Sequence, residues 1–510
     1  MENMESDMSR PRTVFPGPPH GFGTNLRSLG IVSAFALLSF VVLGVLNPFR
    51  TPLKIIFVLV APLILIFVLP GAMRALLVGA RSIATHFTWY QGLWLLILVS
   101  GLVFRIRQFQ DINEEAIDGW AYFRIGVAGL VGLILIGRLL SKRTHWLRWL
   151  FRGSVGIMAV YAALCLVSTT WSVRPAWTLY KSLEYMLDLS VLCAVLATVK
   201  SSEDFERFMN FAWSLLGLML VTTWIGAIID PVDAFEAGQR FGPLGVRLAG
   251  VVPALSANSI GEFSAVLAVL ALCRLMYDPE RRFDRSWYAF LFLFSVGTLI
   301  FSQTRAAIAA LFLAVILLLI LTRRVLLGAA IAIGSAFAVF FLLVFTKFGS
   351  LVWDFVLRGE QASEVEGLSG RIGFWQYAFQ KFQERPWTGF GGFAGGRFVI
   401  LPALGHYEIP DVHSSLVESL VDVGIWGPLL IIIALISMWW FMRKATQSPL
   451  LNLGEKRLAI ESLAILTIIT VRCVVSGNIT SHPAFAFLTL LCCAEFMRRR
   501  LKFGNPPWAS

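Results

Sequence analysis

Residues 306–322 read AAIAALFLAVILLLILT, an apolar run without a single charged side chain. A helix of about 20 apolar residues spans the hydrocarbon core of a bilayer, so this run is a candidate transmembrane helix. Similar runs recur along the whole chain. Of its 510 residues, 57% are hydrophobic and only 15% are charged, whereas soluble domains carry about 25% charge. The sequence therefore predicts an all-α, polytopic integral membrane protein.

The apolar runs predict about 14 transmembrane helices joined by mostly short connections. With a cytoplasmic N-terminus, most of the 43 Lys and Arg residues lie on the inner side, which agrees with the positive-inside rule. The predicted helix centres lie near residues 38, 63, 97, 130, 160, 193, 218, 266, 294, 313, 335, 432, 466 and 489. The predicted segments are a disordered cytoplasmic tail (1–28), eleven spans (29–346), a periplasmic loop (347–412), three spans (413–497) and a basic cytoplasmic tail (498–510).

Composition and motifs also argue against several function classes. The net charge of +12 reports membrane topology in a chain of this kind, so it does not imply nucleic acid as a partner. The six cysteines lie in or beside apolar segments, without the spacing of a zinc site or a disulfide framework. The chain contains no P-loop, no G-x-S-x-G elbow and no H-E-x-x-H pair. We therefore expect no ATP hydrolysis, no metal site and no other cofactor.

The periplasmic loop is the long outer connection of this topology, and a connection of such length is either functional or disordered. Residues 371–384 within it form an amphipathic pattern, with an apolar stripe of Phe374, Trp375, Ala378, Phe379 and Phe382. The stripe predicts a short helix that lies on the membrane surface or covers a cavity. A helix that packs on its own loop explains the stripe equally well.

Several arginines on the predicted outer face stand beside apolar helices, where a cation is costly unless it has a partner or a ligand. Arg305 follows a very tight turn, Arg247 precedes a polar helix start, and Arg371 opens the amphipathic segment. Arg240, in the same loop as Arg247, is a secondary candidate. Each arginine alone is equally typical of a side chain that reaches helix-end carbonyls, and the glycines after Arg371 are more typical of turns than of a ligand cradle.

His413 has the best placement for chemistry among the six histidines, because it stands where the long loop enters the twelfth predicted span. An imidazole at a membrane–water boundary can take a proton near neutral pH, as a base that activates a sugar hydroxyl must do. A single histidine is more often structural. Glu418 is a secondary candidate, and the spacing Ser415-x-x-Glu418 favours a capping box over catalysis.

Outer-face arginines together with one histidine suit a phosphate-bearing lipid that is attacked by a hydroxyl. The planar guanidinium matches phosphate oxygens, and several arginines can stabilise a pyrophosphate leaving group without a metal. The motifs that contain these residues, together with two glycine-bearing motifs, follow in order: RLAG at 247–250, SQTR at 302–305, GRIGFW at 370–375, PWTGFG at 386–391, and HSSL at 413–416 continuing to GIWG at 424–427. TWSVRP at 170–175 lies upstream of them.

This order of motifs, over about residues 240–430, resembles the O-antigen ligase and polymerase family of integral-membrane enzymes. The sequence departs from the family pattern at Thr304, Ser414 and Lys181, where serine, asparagine and arginine are common, but no proposed charge is lost. The resemblance implies that Arg247, Arg305 and Arg371 bind the pyrophosphate of the donor. It also implies that His413 acts as the base or orients the acceptor hydroxyl.

The resemblance implies a metal-independent, inverting glycosyltransferase of the bacterial inner membrane with its active site facing the periplasm. Its donor would be a glycan on undecaprenyl pyrophosphate, and its acceptor another lipid-linked repeat unit (a polymerase) or lipid A–core or another surface anchor (a ligase). Membrane lipid, a chain-length regulator and a flippase are further implied partners. A secondary transporter or flippase of a lipid-linked glycan is the alternative from another class, although transporters place ionisable groups near the midplane of two related halves.

Overall fold

A computed structural model of the protein describes residues 87–102, 119–143, 145–237, 246–277, 282–322, 371–405, 411–480 and 484–503. In these ranges the α-helices are α1 (Trp89–Leu102), α2 (Gly119–Leu140), α3 (Gly153–Val167), α4 (Pro175–Thr198), α5 (Ser202–Ile229), α6 (Pro231–Ala234), α7 (Ala257–Tyr277), α8 (Arg282–Ser302), α9 (Arg305–Leu321), α10 (Arg371–Glu384), α11 (Leu401–Ala403), α12 (Ser415–Val423), α13 (Trp426–Gln447), α14 (Leu453–Val475) and α15 (Phe485–Phe503). A π-helical turn, Gly396–Ile400, precedes α11.

Two small antiparallel pairs of strands lie between α6 and α7. β1 (Phe235–Ala237) pairs with β2 (Val246–Leu248), and β3 (Gly250–Val251) pairs with β4 (Ala254–Leu255). The sequence did not predict these strands. They matter for function because β2 holds a candidate residue, Arg247, in a fixed register opposite Glu236.

The all-α membrane architecture is confirmed. In the described part of the chain, seven helical segments are long and apolar enough to cross a bilayer: Tyr122–Leu140, Gly153–Thr170, Ser202–Ile229, Ala257–Tyr277, Arg285–Ser302, Trp426–Gln447 and Leu453–Val475. Two further apolar segments, Trp89–Gly101 and Arg305–Leu321, are shorter. The predicted centres near 38, 63 and 335 lie outside the described residues, and each of the others falls within a helix.

Helix α14 is the central element of the bundle and packs against α7, α9 and α13. Its start is fixed by a capping box, in which Asn452 Oδ1 accepts from the Glu455 N–H at 2.9 Å and Glu455 Oε2 accepts from the Asn452 N–H at 3.0 Å. Most of its side chains are buried. A helix that is apolar on nearly all sides is expected at the centre of a membrane bundle.

Two predicted boundaries need correction. The span predicted to begin at 413 starts as the separate short helix α12, because Gly424 adopts φ +70° and interrupts the helix before α13 begins at Trp426. A side chain at Gly424 would collide with the Pro386 carbonyl, only 2.5 Å from an added Cβ. The segment predicted as a basic tail from 498 is helical up to Phe503, the end of α15.

Candidate active site at the His413 loop

His413 lies in the turn before α12, and Asp411 holds it in place. The backbone of His413 has φ +56°, a left-handed conformation that is uncommon for a residue with a side chain. Asp411 Oδ1 accepts from the His413 N–H at 2.8 Å and lies 3.1 Å from Nδ1 of the ring. When Nδ1 donates to this carboxylate, Nε2 is the ring nitrogen that can take up a proton.

The electrostatics of Asp411 suit this role. Burial alone would raise the pKa of the Asp411 carboxyl, but hydrogen bonds from His413, together with the charges of His413 and Arg371, hold that pKa below its ordinary value. Asp411 is therefore anionic at neutral pH. An anionic partner fixes the orientation of the imidazole and stabilises the imidazolium that forms when the ring accepts a proton.

Arg371, the first residue of α10, lies within electrostatic range of three other guanidinium groups. Its Nη1 donates to the Val475 carbonyl at the end of α14 at 2.8 Å. Burial, and then the positive charge of Arg472 together with those of Arg305 and Arg247, lowers the pKa of Arg371 below its ordinary value. A set of cations held this close together is expected where a ligand with several negative charges binds.

The tight turn before α9 connects Arg305 with the strand that carries Arg247. Gln303 Nε2 donates to the Val246 carbonyl of β2 at 2.6 Å, and Thr304 Oγ1 donates to a carbonyl at the start of α7 at 2.9 Å. Both side chains are buried. Threonine thus supplies the hydroxyl that a serine would supply, and the departure from the family pattern at this position leaves the turn intact.

Arg247 also faces a carboxylate, since its Nη1 lies 3.9 Å from Oε2 of Glu236 on the neighbouring strand. Both side chains are partly exposed, at 22% and 38%, so this contact is a weak, solvent-screened pair. Arg240 lies outside the described residues, and its role remains a prediction.

Glu418 does not form the predicted capping box. The N-cap of α12 is Ser414, whose Oγ accepts from the Val417 N–H at 3.3 Å. Glu418 Oε2 instead accepts from the Thr480 hydroxyl at 3.0 Å. Burial, and then the nearby charges of Asp411 and another carboxylate of α12, raises the pKa of Glu418 well above its ordinary value. The capping interpretation was wrong, and Glu418 is a buried carboxyl group beside the His413 loop.

The glycines that follow α10 make a close-packed turn. Asp422 of α12 accepts backbone N–H groups from Phe393 at 2.9 Å and from Gly395 at 2.8 Å. An added Cβ at Gly391, which has φ +110°, would lie 2.1 Å from the Ser172 hydroxyl in the upstream motif. These glycines therefore permit close contact between segments of the protein, as the turn interpretation predicted.

Sequence reasoning missed the contribution of α14 and the residues after it. Arg472 is buried at 2% exposure, donates from Nε to Glu262 Oε2 at 3.0 Å and from Nη2 to the Asn258 carbonyl at 3.0 Å. Gly477 packs between two carboxylates, since an added Cβ would lie 2.8 Å from Asp411 Oδ2 and 3.3 Å from Glu418 Oε2. A signal existed for Arg472: it is a charge inside an apolar helix, which is a functional candidate by default.

The structure thus brings together Arg247, Arg305 and Arg371 with His413 through Asp411, whose carboxylate interacts with both His413 and Arg371. Among the residues that the structure describes, no three His, Cys, Asp or Glu side chains are grouped so that they could hold a metal ion. Metal independence remains a prediction.

Comparison with known proteins supports the resemblance found in the motifs. Residues 290–432 match the family model described as "Wzy_C: O-Antigen ligase". The matched segment contains Arg305, Arg371 and His413, whereas Arg247 and Arg472 lie outside it. No curated protein matches the chain.

Proposed function

We propose that this chain, a multi-pass membrane protein with an O-antigen ligase domain at residues 290–432, transfers a glycan from undecaprenyl pyrophosphate to an acceptor hydroxyl at the periplasmic face of the bacterial inner membrane. The observation that carries the proposal is the His413–Asp411 pair, at 3.1 Å between Nδ1 and Oδ1, beside the grouped Arg371, Arg305 and Arg247. A proton acceptor and a multivalent anion site are the two components that this reaction needs.

In the proposed reaction, Nε2 of His413 takes the proton of the acceptor hydroxyl as its oxygen attacks the anomeric carbon of the donor. A new C–O bond forms on one face of the sugar, and the bond to the lipid diphosphate breaks on the other. The bonding electron pair leaves with the diphosphate. Because attack and departure take place on opposite faces of the sugar, the configuration at the anomeric carbon is inverted. His413 is then an imidazolium beside the anionic Asp411, and it returns its proton to solvent.

The arginines stabilise the departing diphosphate. Negative charge develops on its bridging oxygen as the glycosidic bond breaks, and Arg371, Arg305 and Arg247 offer planar donor groups for phosphate oxygens. Arg472 is a positioning residue, because its guanidinium is engaged by Glu262 and by the Asn258 carbonyl inside the bundle.

The acceptor distinguishes two forms of this function, a polymerase and a ligase. A polymerase joins one lipid-linked repeat unit to another, whereas a ligase places a finished chain on lipid A–core or another surface anchor. In the polymerase form, a chain-length regulator acts as a partner. A flippase acts upstream in both forms, since it must deliver the donor to the periplasmic face.

The experiment compares glycans attached to undecaprenyl pyrophosphate in cells without the gene, with the intact gene and with His413→Ala. Accumulated single repeat units identify a polymerase, and accumulated long chains without chains on the surface anchor identify a ligase. Purified protein with lipid-linked donor must also transfer glycan, and His413→Ala must not. An unchanged glycan profile, or intact transfer by His413→Ala, contradicts the proposal. The secondary transporter or flippase is then the favoured function.

A further inference from the structure

A second group of cations, outside the diphosphate site, lies where α2, α4 and the π-helical turn meet. It consists of Arg124 on α2, Lys181 on α4, Arg397 in the π-helical turn and Arg174 just before α4. Arg124 and Arg397 are both within electrostatic range of the Lys181 ammonium. The nearby carboxylates are Glu184 and, one turn further along α4, Asp188. Glu418 also interacts with Arg397, so four cations and three carboxylates are identified in this part of the described structure.

Glu184 holds two of these cations in fixed positions. Its Oε1 accepts from Arg124 Nη2 at 2.8 Å, and its Oε2 accepts from Lys181 Nζ at 2.6 Å. The Arg124 and Lys181 side chains are each 15% exposed, whereas Glu184 is 2% exposed. The carboxylate is thus more deeply buried than the two cations whose positions it orders.

Aromatic rings form the wall beside these cations. Arg397 Cζ lies 4.9 Å from the centroid of the Trp177 ring, and Arg174 Cζ lies 5.5 Å from that of Phe398. Trp177 is itself fixed by a hydrogen bond from Nε1 to the Phe393 carbonyl at 2.9 Å. Ordered cations next to rigid aromatic faces are suited to a ligand that combines sugar rings with an anionic group.

This group of cations is connected to the His413 loop through the π-helical turn. Gly396 packs against Val412 and Glu418, each of which would lie 3.4 Å from an added Cβ. Arg397, the next residue, acts electrostatically on both Glu418 and Lys181. Glu418 therefore lies close both to Gly396, which precedes Arg397 of the second group, and to Gly477, which packs against Asp411 of the His413 loop.

We propose that Arg124, Lys181, Arg397 and Arg174 form a second anion-binding site, which binds a phosphate or carboxylate group of the acceptor while the first site binds the donor diphosphate. This inference rests on the proposed function. It gives a role to both groups of cations that are connected to the histidine loop, because the leaving diphosphate and a lipid-linked acceptor each carry negative charge. A lipid-linked acceptor offers such a charge in its own diphosphate.

The first test measures, by calorimetry, the direct binding of inorganic pyrophosphate to the full chain in nanodiscs of zwitterionic phosphatidylcholine. Wild-type protein should bind two equivalents, and Lys181→Gln/Arg397→Gln should bind one. Lys381→Gln is a matched control that should bind two, because Lys381 also pairs with a glutamate three residues later, Glu384, at 2.7 Å and lies near a tyrosine ring. Two sites in the double variant, or one site in wild-type protein, overturns the proposal.

The second test compares transfer to a lipid-linked, charged acceptor with transfer to the same glycan released from its lipid diphosphate. Wild-type protein should prefer the charged acceptor by roughly tenfold in kcat/KM, as expected for one lost charge-assisted contact. Lys181→Gln/Arg397→Gln should lose this preference while its kcat/KM for the uncharged acceptor and its KM for the donor stay at wild-type values. If the double variant slows both acceptors equally, the residues are merely structural and the assignment is wrong.

Two further outcomes separate the sources of failure. Absence of transfer by wild-type protein to either acceptor contradicts the proposed function, whereas the pyrophosphate titration still reports on the second site by itself. A phospholipid headgroup is the competing source of the anion. If phosphatidylglycerol in the nanodiscs removes one pyrophosphate site from wild-type protein and leaves the double variant unchanged, the site binds lipid and the acceptor assignment is overturned.

Discussion

Two buried ion pairs, one at each end, join helices α7 and α14. The two ends differ in the hydrogen bonds that the arginine donates. At the far end, Arg274 donates from Nε and Nη2 to the two oxygens of Glu461, at 2.9 and 3.0 Å. At the site end, Arg472 donates to Glu262 from Nε, and its Nη2 donates to the Asn258 carbonyl. The far pair is bidentate, and Arg274 Nη1 also donates to the Tyr288 hydroxyl at 3.4 Å, whereas at the site end a single guanidinium nitrogen binds the carboxylate and another binds a backbone carbonyl.

From this difference we infer different roles for the two buried pairs. A bidentate pair satisfies the carboxylate fully and fixes the register of two antiparallel helices. The arginine at the site end also acts on Arg371, which in turn donates to the Val475 carbonyl at the end of α14. We therefore expect substitutions at the far end to change stability, and substitutions at the site end to change transfer.

The largest effect is expected at the site end, from His413→Ala. Loss of the general base should lower the rate of glycan transfer by about 10²–10⁴-fold, because proton transfer by a positioned side chain contributes that much to catalysis. The melting temperature should stay at the wild-type value, since the His413 side chain is 25% exposed. Steady-state transfer with purified protein measures the first quantity, and a thermal melt the second. A variant that loses transfer only because it unfolds would contradict the assignment.

The next effect belongs to the far end. Glu461→Leu leaves the Arg274 cation buried without its partner, which should lower the free energy of unfolding by about 3–5 kcal/mol. Arg274→Met/Glu461→Leu should recover most of that loss, because two apolar side chains need no ion pair. Equilibrium unfolding in mixed micelles compares the two. Equal destabilisation of the single and double variants would show that the unpaired Arg274 cation is not the cause of the lower free energy of unfolding.

A sharper test exchanges the pair at the site end. Arg472→Met/Glu262→Leu should be about as stable as the far-end double variant, yet it should transfer glycan roughly ten- to a hundredfold more slowly, because misplaced binding groups cost about that much. The far-end double variant is the matched control, since it also removes one arginine and one glutamate that pair between the same two helices. If both double variants transfer glycan equally well, the ion pair at the site end has no role in transfer.

The smallest effect is a pH dependence at Glu418. Because burial raises its folded-state pKa above the unfolded value of about 4.3, the stability it contributes is complete below that pH and is lost as pH rises through the folded pKa. The melting temperature of wild-type protein should therefore fall with rising pH relative to that of Glu418→Gln, which keeps an acceptor for the Thr480 hydroxyl. Thermal melts over a pH series measure this difference. A constant difference at every pH would refute a raised pKa.

Much of the fold was predictable because a bilayer imposes simple rules on sequence. Apolar runs such as 306–322 have to be helical, since unpaired backbone groups are too costly in hydrocarbon. The break at Gly424 was not predicted, because it depends on the approach of the Pro386 carbonyl from another segment and on the φ of +70° at Gly424. The predicted centre of the twelfth span, near 432, lies within α13.

The candidate site was predictable in its residues but not in its connections. Motif order identified Arg247, Arg305, Arg371 and His413, which the structure places near one another or links through Asp411. The capping box at Glu418 satisfied the local spacing, yet Ser414 caps the helix instead. Local rules count positions along one segment, and the competing partner of Glu418, Thr480, comes from a segment far away in sequence.

Hydrophobic length and side-chain chemistry are local properties of the chain, so the sequence was enough to predict a helical membrane protein and the residue types that can do its chemistry. Only the packing of the helices shows that Asp411 pairs with His413, that the Arg472 charge acts on Arg371, and that Arg397 acts on both Lys181 and Glu418. These are relations between distant segments. They depend on how whole helices pack, and no single window of sequence contains both partners.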